Sequence, residues 1–474
     1  GCATKSPPTS AEMRRQSDTL NNLVLTSEWR AAPVSTNAIQ DNWLASFQDN
    51  QLNALVAEAM TNNPDLRVAS TRVEQAWHYV RLAKTALRPT VNLFGTGGLN
   101  MGGGDISSAL QGVSLGASWE PDLWGRMRYG RNAVQATHAS AQADYEFSRQ
   151  SLAATIARSW FTASETWLQL RIAEDMVQAA RQLLTLAETR RRIGPGSEQE
   201  IALARAALAT YQDTARQVRF AHEQTLRALE LLLGRYPAAE LEARRDLAAL
   251  PSAIPAGLPL DMLERRPDVV AAERRVAAAF HRVGEAKAAR LPRLILNANV
   301  AAIDSDILQL KQDFENPTGG AGAKLLAPIY QGGALKTQVE IRSLEQEQAV
   351  AEYARISLRA LSEVENSLST ARALGERQHF LEQAATENQR ALDLAQTNYR
   401  IGQGDLRAVE QQQLNLHAAR LALLRVQSEQ LAQRVNLHLS LGGSFEPTTV
   451  AEANRTIEQT ERPTPHANSH HQGN

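Results

Sequence analysis

The chain has 474 residues, of which 43% are hydrophobic with Ala counted, only 5% aromatic and 21% charged. Its 50 Lys and Arg nearly balance 51 Asp and Glu, so no strong overall charge draws it toward nucleic acid, and so few aromatics argue against a large aromatic-rich core. Mean hydropathy is −0.35 and no run of about 18 apolar residues occurs, so no transmembrane helix is expected; a membrane β-barrel stays open, because alternating strands hardly raise hydropathy.

Cys2 is the single cysteine and excludes an intrachain disulfide framework. It follows Gly1 and precedes Ala3, Thr4, Lys5, Ser6, Pro7 and Pro8. A small residue before a cysteine, with a Ser/Pro-rich tether after it, looks like the end of a bacterial lipoprotein signal. Cys2 is then the expected site of a covalent lipid, since each buried acyl CH₂ contributes roughly 0.8 kcal/mol of membrane anchoring. The lack of Asp after Cys2 weakly favours the outer membrane. The alternative is an incidental cysteine.

The rest of the chain reads as a duplication. Asn63-Pro64-Asp65 corresponds to Arg266-Pro267-Asp268, and Pro89 to Pro292. Pro121-Asp122-Leu123-Trp124-Gly125 corresponds to Pro328-Ile329-Tyr330-Gln331-Gly332. Arg192-Ile193-Gly194-Pro195-Gly196 corresponds to Arg400-Ile401-Gly402-Gln403-Gly404, and Leu233-Gly234 to Leu441-Gly442. The offset drifts only from about 203 to about 208 residues, as expected of a repeat with small insertions.

Each half predicts one plan. A helix follows the Pro-Asp, over Asp65–Leu87 and Asp268–Arg290, with proline and acid in the first turn. Two strands and a loop come next. A helix of about 69 residues, roughly 100 Å at 1.5 Å per residue, then runs over Trp124–Ile193 and Gly332–Ile401. A shorter helix returns over Ser197–Leu233 and Asp405–Leu441. Ala, Leu, Gln, Glu and Arg dominate these stretches, and Ala at helical spacing allows close approach but builds only a thin seam. Such helices need partners.

The strands alternate. Val91, Leu93 and Gly95 alternate with Asn92, Phe94 and Thr96, and Val113, Leu115, Ala117 and Trp119 with Ser114, Gly116 and Ser118. Leu294, Leu296, Ala298 and Val300 alternate with Ile295, Asn297, Asn299 and Ala301, and Ala323, Leu325 and Ala327 with Gly322, Lys324 and Leu326. This period fits half-buried hairpins on a soluble protein or a membrane barrel, apolar toward lipid and polar toward the lumen. Trp119, Trp124 and Tyr330 stand where strands give way to helices, as interfacial aromatics would. Four strands cannot close a barrel when the smallest have about eight, so several chains would have to share one.

Two segments then resemble the TolC-like outer-membrane channels of tripartite efflux pumps, in their lipoprotein branch. These are Trp119-Glu120-Pro121-Asp122-Leu123-Trp124-Gly125-Arg126 and Leu263-Glu264-Arg265-Arg266-Pro267-Asp268-Val269-Val270-Ala271-Ala272-Glu273-Arg274. Trp43-Leu44-Ala45-Ser46-Phe47-Gln48-Asp49 and Gln430-Leu431-Ala432-Gln433-Arg434-Val435-Asn436-Leu437 are similar to the family as well. The resemblance implies a mostly α chain with a membrane β-barrel, in which a homotrimer with four strands per chain shares twelve strands and a long α-helical barrel extends into the periplasm. It implies a lipidated tether and equatorial segment over 1–62, repeats over 63–234 and 263–442, an equatorial linker over 235–262, and an equatorial segment with a disordered tail over 443–474. The job implied is a passive, gated exit for drugs, bile salts or other toxic solutes, not an enzyme. Its partners would be a periplasmic adaptor (membrane-fusion) protein, an inner-membrane pump of resistance-nodulation-division or major-facilitator type, and outer-membrane lipid, with no nucleic acid. No cofactor is implied beyond the covalent lipid on Cys2. A type I protein-secretion duct shares this architecture, and a structural coiled-coil lipoprotein is the alternative that leaves the strands unexplained.

The resemblance also places a periplasmic gate at the second hairpin tip, over Tyr399, Arg400, Asp405, Arg407 and Glu410, with Gly194, Gly196, Gly402 and Gly404 as tip turns. Acidic rings common in the family fall here on Ala408, Val409, Glu410 and Gln411, so Glu410 or Asp405 would have to replace them. Arg190-Arg191-Arg192 reads as a solvated helix end or an adaptor contact. Enzymatic patterns fail: His222-Glu223 has Leu226 where a zinc-protease motif needs a second histidine, and Gly102-Gly103-Gly104 lies between strands, as an external loop would. His466, His470 and His471 sit in the polar tail, where weak metal binding is the alternative to disorder.

Overall fold

The computed structural model describes residues 4–17, 29–31, 41–97, 99–102, 105–108, 111–254, 259–304 and 318–447. Cys2, Gly103, Gly104, His466, His470 and His471 lie outside them. In chain order the elements are α1 (Ser10–Gln16), a 3-10 turn (Trp43–Phe47), α2 (Asn50–Asn62), α3 (Pro64–Thr85), β1 (Thr90–Thr96), β2 (Leu99–Gly102), β3 (Asp105–Ser108), β4 (Gln111–Trp119), α4 (Arg126–Ile193) and α5 (Glu198–Leu232). They continue with α6 (Pro259–Arg265), α7 (Pro267–Ala288), β5 (Arg293–Asp304), β6 (Thr318–Leu326), α8 (Ala334–Arg400) and α9 (Leu406–Ser440). The repeat is thus visible element by element: α3 matches α7, 68-residue α4 matches 67-residue α8, and α5 and α9 both have 35 residues.

The fold divides into two compact units. One comprises Gly1–Val24, Ala69–Tyr145 and Pro267–Leu358; the other comprises Leu25–Val68, Glu146–Arg266 and Arg359–Asn474. The first holds the strands. Its main sheet is antiparallel in the order β1-β4-β5-β6, so β4 paired with β5 joins the two repeats. The register sets Val91, Ala117, Ala298 and Ala321 in one row and Leu93, Leu115, Val300 and Gly319 in another. The opposite face carries Thr90, Ser118, Asn297 and Gly322, then Asn92, Gly116, Asn299 and Gly320. The apolar alternation therefore runs unbroken across four strands, and Leu93 and Leu325 remain 70% and 68% exposed. β1 and β6 are the edges. One expectation changes: β2 and β3 form a further short ladder, with Gly102 paired to Asp105, where a plain loop was expected.

The sheet is tied to its helices by indoles. Trp119 Nε1 donates to the Leu87 carbonyl (3.1 Å) and Trp124 Nε1 to the Pro292 carbonyl (2.5 Å). Asp122 accepts from the Met127 and Arg128 amides at 3.1 and 3.0 Å, which anchors the start of α4. At Gly284 of α7 a Cβ would lie 2.6 Å from the Tyr129 ring, so only glycine allows this approach to α4.

The second unit holds the largest core. Its large side chains are aromatic: Trp43, Phe47, Trp160 and Phe161 pack with Leu52, Leu229, Leu233 and Val435. Phe47 and Phe161 lie 5.0 Å apart between ring centroids, and Trp43 stacks on His438 at 5.9 Å. Burial, with Arg434 adding repulsion, pushes His438 down to about 3, so it packs as a neutral ring. Buried Asp49 organises the edge of this core. Its carboxylate caps α2 through the Gln51 and Leu52 amides (both 3.0 Å), accepts from Trp160 Nε1 (2.9 Å) and faces Arg244 at 3.3 Å. The linker after α5 has neither helix nor strand over 235–254, yet it is held: buried Glu230 accepts from the Ala239, Glu240 and Leu241 amides at 2.7, 2.7 and 3.0 Å.

Asp49→Ala removes a helix cap and the partner of a buried indole, together about 2–4 kcal/mol. A clear fall in the thermal unfolding midpoint by circular dichroism is expected, with Asp49→Asn, which keeps the cap, falling less. Equal midpoints for both variants and the parent would contradict this role.

Candidate functional site: the tip of the second helical hairpin

Both tips turn on the same pair of glycines. In the first hairpin Gly194 has φ +118° and its N–H donates to the Arg190 carbonyl (3.0 Å). In the second, Gly402 has φ +82° and donates to the Tyr399 carbonyl (3.2 Å). These φ values lie in the region that side chains resist. The second glycine of each pair has a different need: a Cβ on Gly196 would sit 2.5 Å from the Arg191 nitrogen, and one on Gly404 would sit 2.9 Å from the Tyr399 nitrogen. The helices then restart on caps. Ser197 and Glu200 form a capping box for α5, and the Asp405 carboxylate accepts from the Arg407 amide (3.2 Å) to open α9.

The two tips are packed together. Tyr399 is fully buried among Leu183 and Ala204 of the first hairpin and Leu392, Leu406, Val409 and Leu416 of the second. The Arg190 guanidinium lies over the Tyr399 ring, 4.3 Å from its centroid, and donates to the Tyr399 carbonyl. A half-buried cation over an aromatic face contributes about 1–2 kcal/mol. The arginine run therefore separates into three roles: Arg190 clamps Tyr399, Arg191 approaches Glu198 at 3.9 Å, and Arg192 is exposed. The sequence offered no signal to single out Arg190 from its two neighbours.

Polar atoms in this seam lack partners. The Tyr399 hydroxyl, Arg190 Nε and Glu410 Oε1 are buried without a hydrogen bond. Burial pushes the Glu410 carboxyl above the usual carboxylate range; Asp405 adds to this and Arg407 opposes it. Burial likewise raises the Tyr399 phenol, with Glu200 next, and the Tyr211 phenol, with Glu410 next. Of the five residues expected at the gate, Tyr399 and Glu410 enter the seam and Asp405 caps its helix. Arg400 and Arg407 stay exposed. His222 is absorbed in helix packing, its Nδ1 2.9 Å from the Thr166 hydroxyl. Among the described residues no group of three or more His, Cys, Asp or Glu converges as a metal site.

Comparison with known proteins follows the same duplication. The family model described as outer membrane efflux protein matches residues 55–235 and 258–443. The chain belongs to the outer membrane efflux protein family. A pyoverdine export outer membrane protein, OpmQ of Pseudomonas aeruginosa, is 30% identical over 90% of this chain and 92% of its own. A probable efflux pump outer membrane protein, TtgC of Pseudomonas putida, is 28% identical over 89% of both chains. Among solved structures, the outer-membrane channel OprN has a TM-score of 0.82 and 25% identity, covering 94% of this chain and 99% of that one. The chain is an outer-membrane efflux component, a passive transport protein and not an enzyme.

The Glu410 shift has a definite sign. A carboxyl raised in the folded state contributes stability that is complete below its unfolded value, near 4.5, and is lost as pH rises through the folded value. Hydrogen exchange of the α9 amides should therefore be slowest in acid and quicken as pH rises above that value, beyond the intrinsic rate, and Glu410→Gln should flatten the profile. At fixed pH, Arg190→Ala should speed exchange about tenfold from the lost ring contact. Tyr399→Phe, which deletes only an unpartnered hydroxyl, should leave it nearly unchanged. Identical profiles for the Glu410→Gln variant and the parent would contradict the seam role.

Proposed function

We propose that three copies of this chain share one twelve-stranded β-barrel in the outer membrane and that their long hairpins line a periplasmic conduit. The observation that carries this reading is the β1-β4-β5-β6 sheet, with one continuous apolar face and two edges open for pairing. An exposed edge is a template for another strand, and closure into a barrel removes it. The apolar face then meets lipid and the polar face lines the lumen. Trp119, Trp124 and Tyr330 take the interfacial level where the strands end. The described parts of 1–62, 235–262 and 443–474 are read as an equatorial belt around the repeats over 63–234 and 263–442, and a lipid on Cys2, at the start of the N-terminal tether, adds a second anchor.

The conduit works with a periplasmic adaptor and an inner-membrane pump, which supplies the energy and selects toxic small molecules. The tip of the second hairpin is its gate. Arg190 holds Tyr399, and with it the second hairpin, against the first. The contributions involved are small enough for an adaptor's differential binding to reverse them, since couplings of about 1–3 kcal/mol are typical of such switches. Asp405, Arg407 and Arg400 present their charges toward the solvent that the gate controls.

Native mass spectrometry of protein extracted from purified outer membranes should give the mass of three chains, each with an acyl adduct on Cys2. A monomer, or a trimer released without detergent, would overturn the shared barrel. The double variant Asp405→Ala, Arg407→Ala should raise single-channel conductance in planar bilayers and let large antibiotics leak into cells. Unchanged conductance and permeability would remove these two residues from the gate.

A further inference from the structure

We infer that the helix-proximal end of the sheet's polar face is a basic constriction that favours anionic solutes. This rests on the shared-barrel reading. The residues that carry it are Arg293, at the start of β5, and Lys324, near the end of β6. Arg293 is in register with Leu326, and Ile295 with Lys324, so the two cations are diagonal neighbours on one face. Alternation puts both on the face of Thr90, Ser118, Asn297 and Gly322, Lys324 one row and Arg293 two rows nearer the helices. Both side chains are exposed.

Diagonal neighbours on a sheet face are within reach of long side chains, and like charges there repel. An intervening acid would normally relieve this. Among the described residues neither Arg293 nor Lys324 has an ion-pair partner, and the polar face of the four strands carries no Asp or Glu. The acids that share a cavity with Arg293 are already committed. Glu120 and Asp122 line the same cavity as Arg293 at the base of the sheet, but Glu120 pairs with Arg126 (2.9 Å) and Asp122 with Arg128 (3.0 Å). Two positive charges per chain are left over. Three chains around one axis would place six of them in two adjacent rows at one end of the lumen.

A ring of one sign, with low-dielectric walls around it, concentrates counter-ions by tenfold or more. Farther along, the face is neutral (Asn92, Ser114, Asn299 and Thr318), so the selective step is confined to this end. The arginine fork suits carboxylate, sulfonate or phosphate groups, and the lysine acts as a mobile point charge. The preferred cargo is a solute bearing such groups, while cationic solutes meet a barrier here.

Asn297→Cys places a thiol on the same face, one row from Lys324 and two from Arg293. It would be treated from outside, in outer-membrane vesicles, with methanethiosulfonates of similar size carrying either a sulfonate or a trimethylammonium group; the parent chain serves as the blank. The sulfonate should react faster, by about tenfold after correction for the two reagents' rates with a free thiol, and added salt should shrink the advantage. Arg293→Gln with Lys324→Gln should abolish it, while Arg293→Lys with Lys324→Arg should keep it. If the double neutral variant does not reach the membrane, each single neutral variant should give an intermediate ratio. An unchanged ratio on neutralisation would overturn the basic constriction and leave the barrel standing. Labelling by neither reagent would mean that Asn297 does not face a lumen, and the barrel reading itself would fail along with the inference.

Discussion

The pairing of β4 with β5 is the constraint from which the rest of the strand unit follows. It is the only main-sheet ladder that joins the two repeats, because β1 and β6 lie outside it on either side. A one-residue slip in that ladder would turn Leu294, Leu296, Ala298 and Val300 to the opposite face, since side chains alternate with a period of two. The observed register instead brings the apolar rows of both repeats into one surface and gathers Asn and Ser on the other. The same register places Arg293 and Lys324 together at one end. The edges, the proposed lipid-facing surface and the charge of the proposed lumen all descend from this one ladder.

The helical part depends on a different economy. Its seams are built from Ala and Leu with few large side chains, so the packing energy of any one turn is small. Stability gathers in the core around Trp43, Trp160 and Phe161 and at linker contacts such as Glu230 with its three amides. The tips sit far along the sequence from that core and carry only a thin cluster about Tyr399. Their polar atoms are incompletely satisfied, which leaves the packing of the two tips only modestly favoured. The gate proposed here needs such a balance, because a fully satisfied seam would resist opening.

Much of this was legible in the residues. Proline and glycine punctuation located all four major helices of the repeats to within a few residues, and the 402 and 404 glycines marked the second tip. Alternation identified the strands of the main sheet, but the β2–β3 ladder escaped because four residues in each strand are too few to show a period. The short helix α2 and the 3-10 turn before it were passed over as belt. Of the candidate gate residues, the sequence could name the tip but not sort Tyr399 and Glu410, which enter the seam, from Arg400 and Arg407, which do not.

Local chemistry explains that division. Helix length, turn position, strand period and the duplication are properties of neighbours along the chain, and they are written in spacing and residue type. Which arginine of Arg190-Arg191-Arg192 covers Tyr399, which carboxylate holds Trp160, and whether Arg293 meets an acid or another cation are properties of residues far apart in sequence. A guanidinium is equally well solvated at 190, 191 or 192 until the opposing helix arrives and desolvates one of them. Likewise, strand identity does not state register, and only the assembled ladder decides which side chains become neighbours.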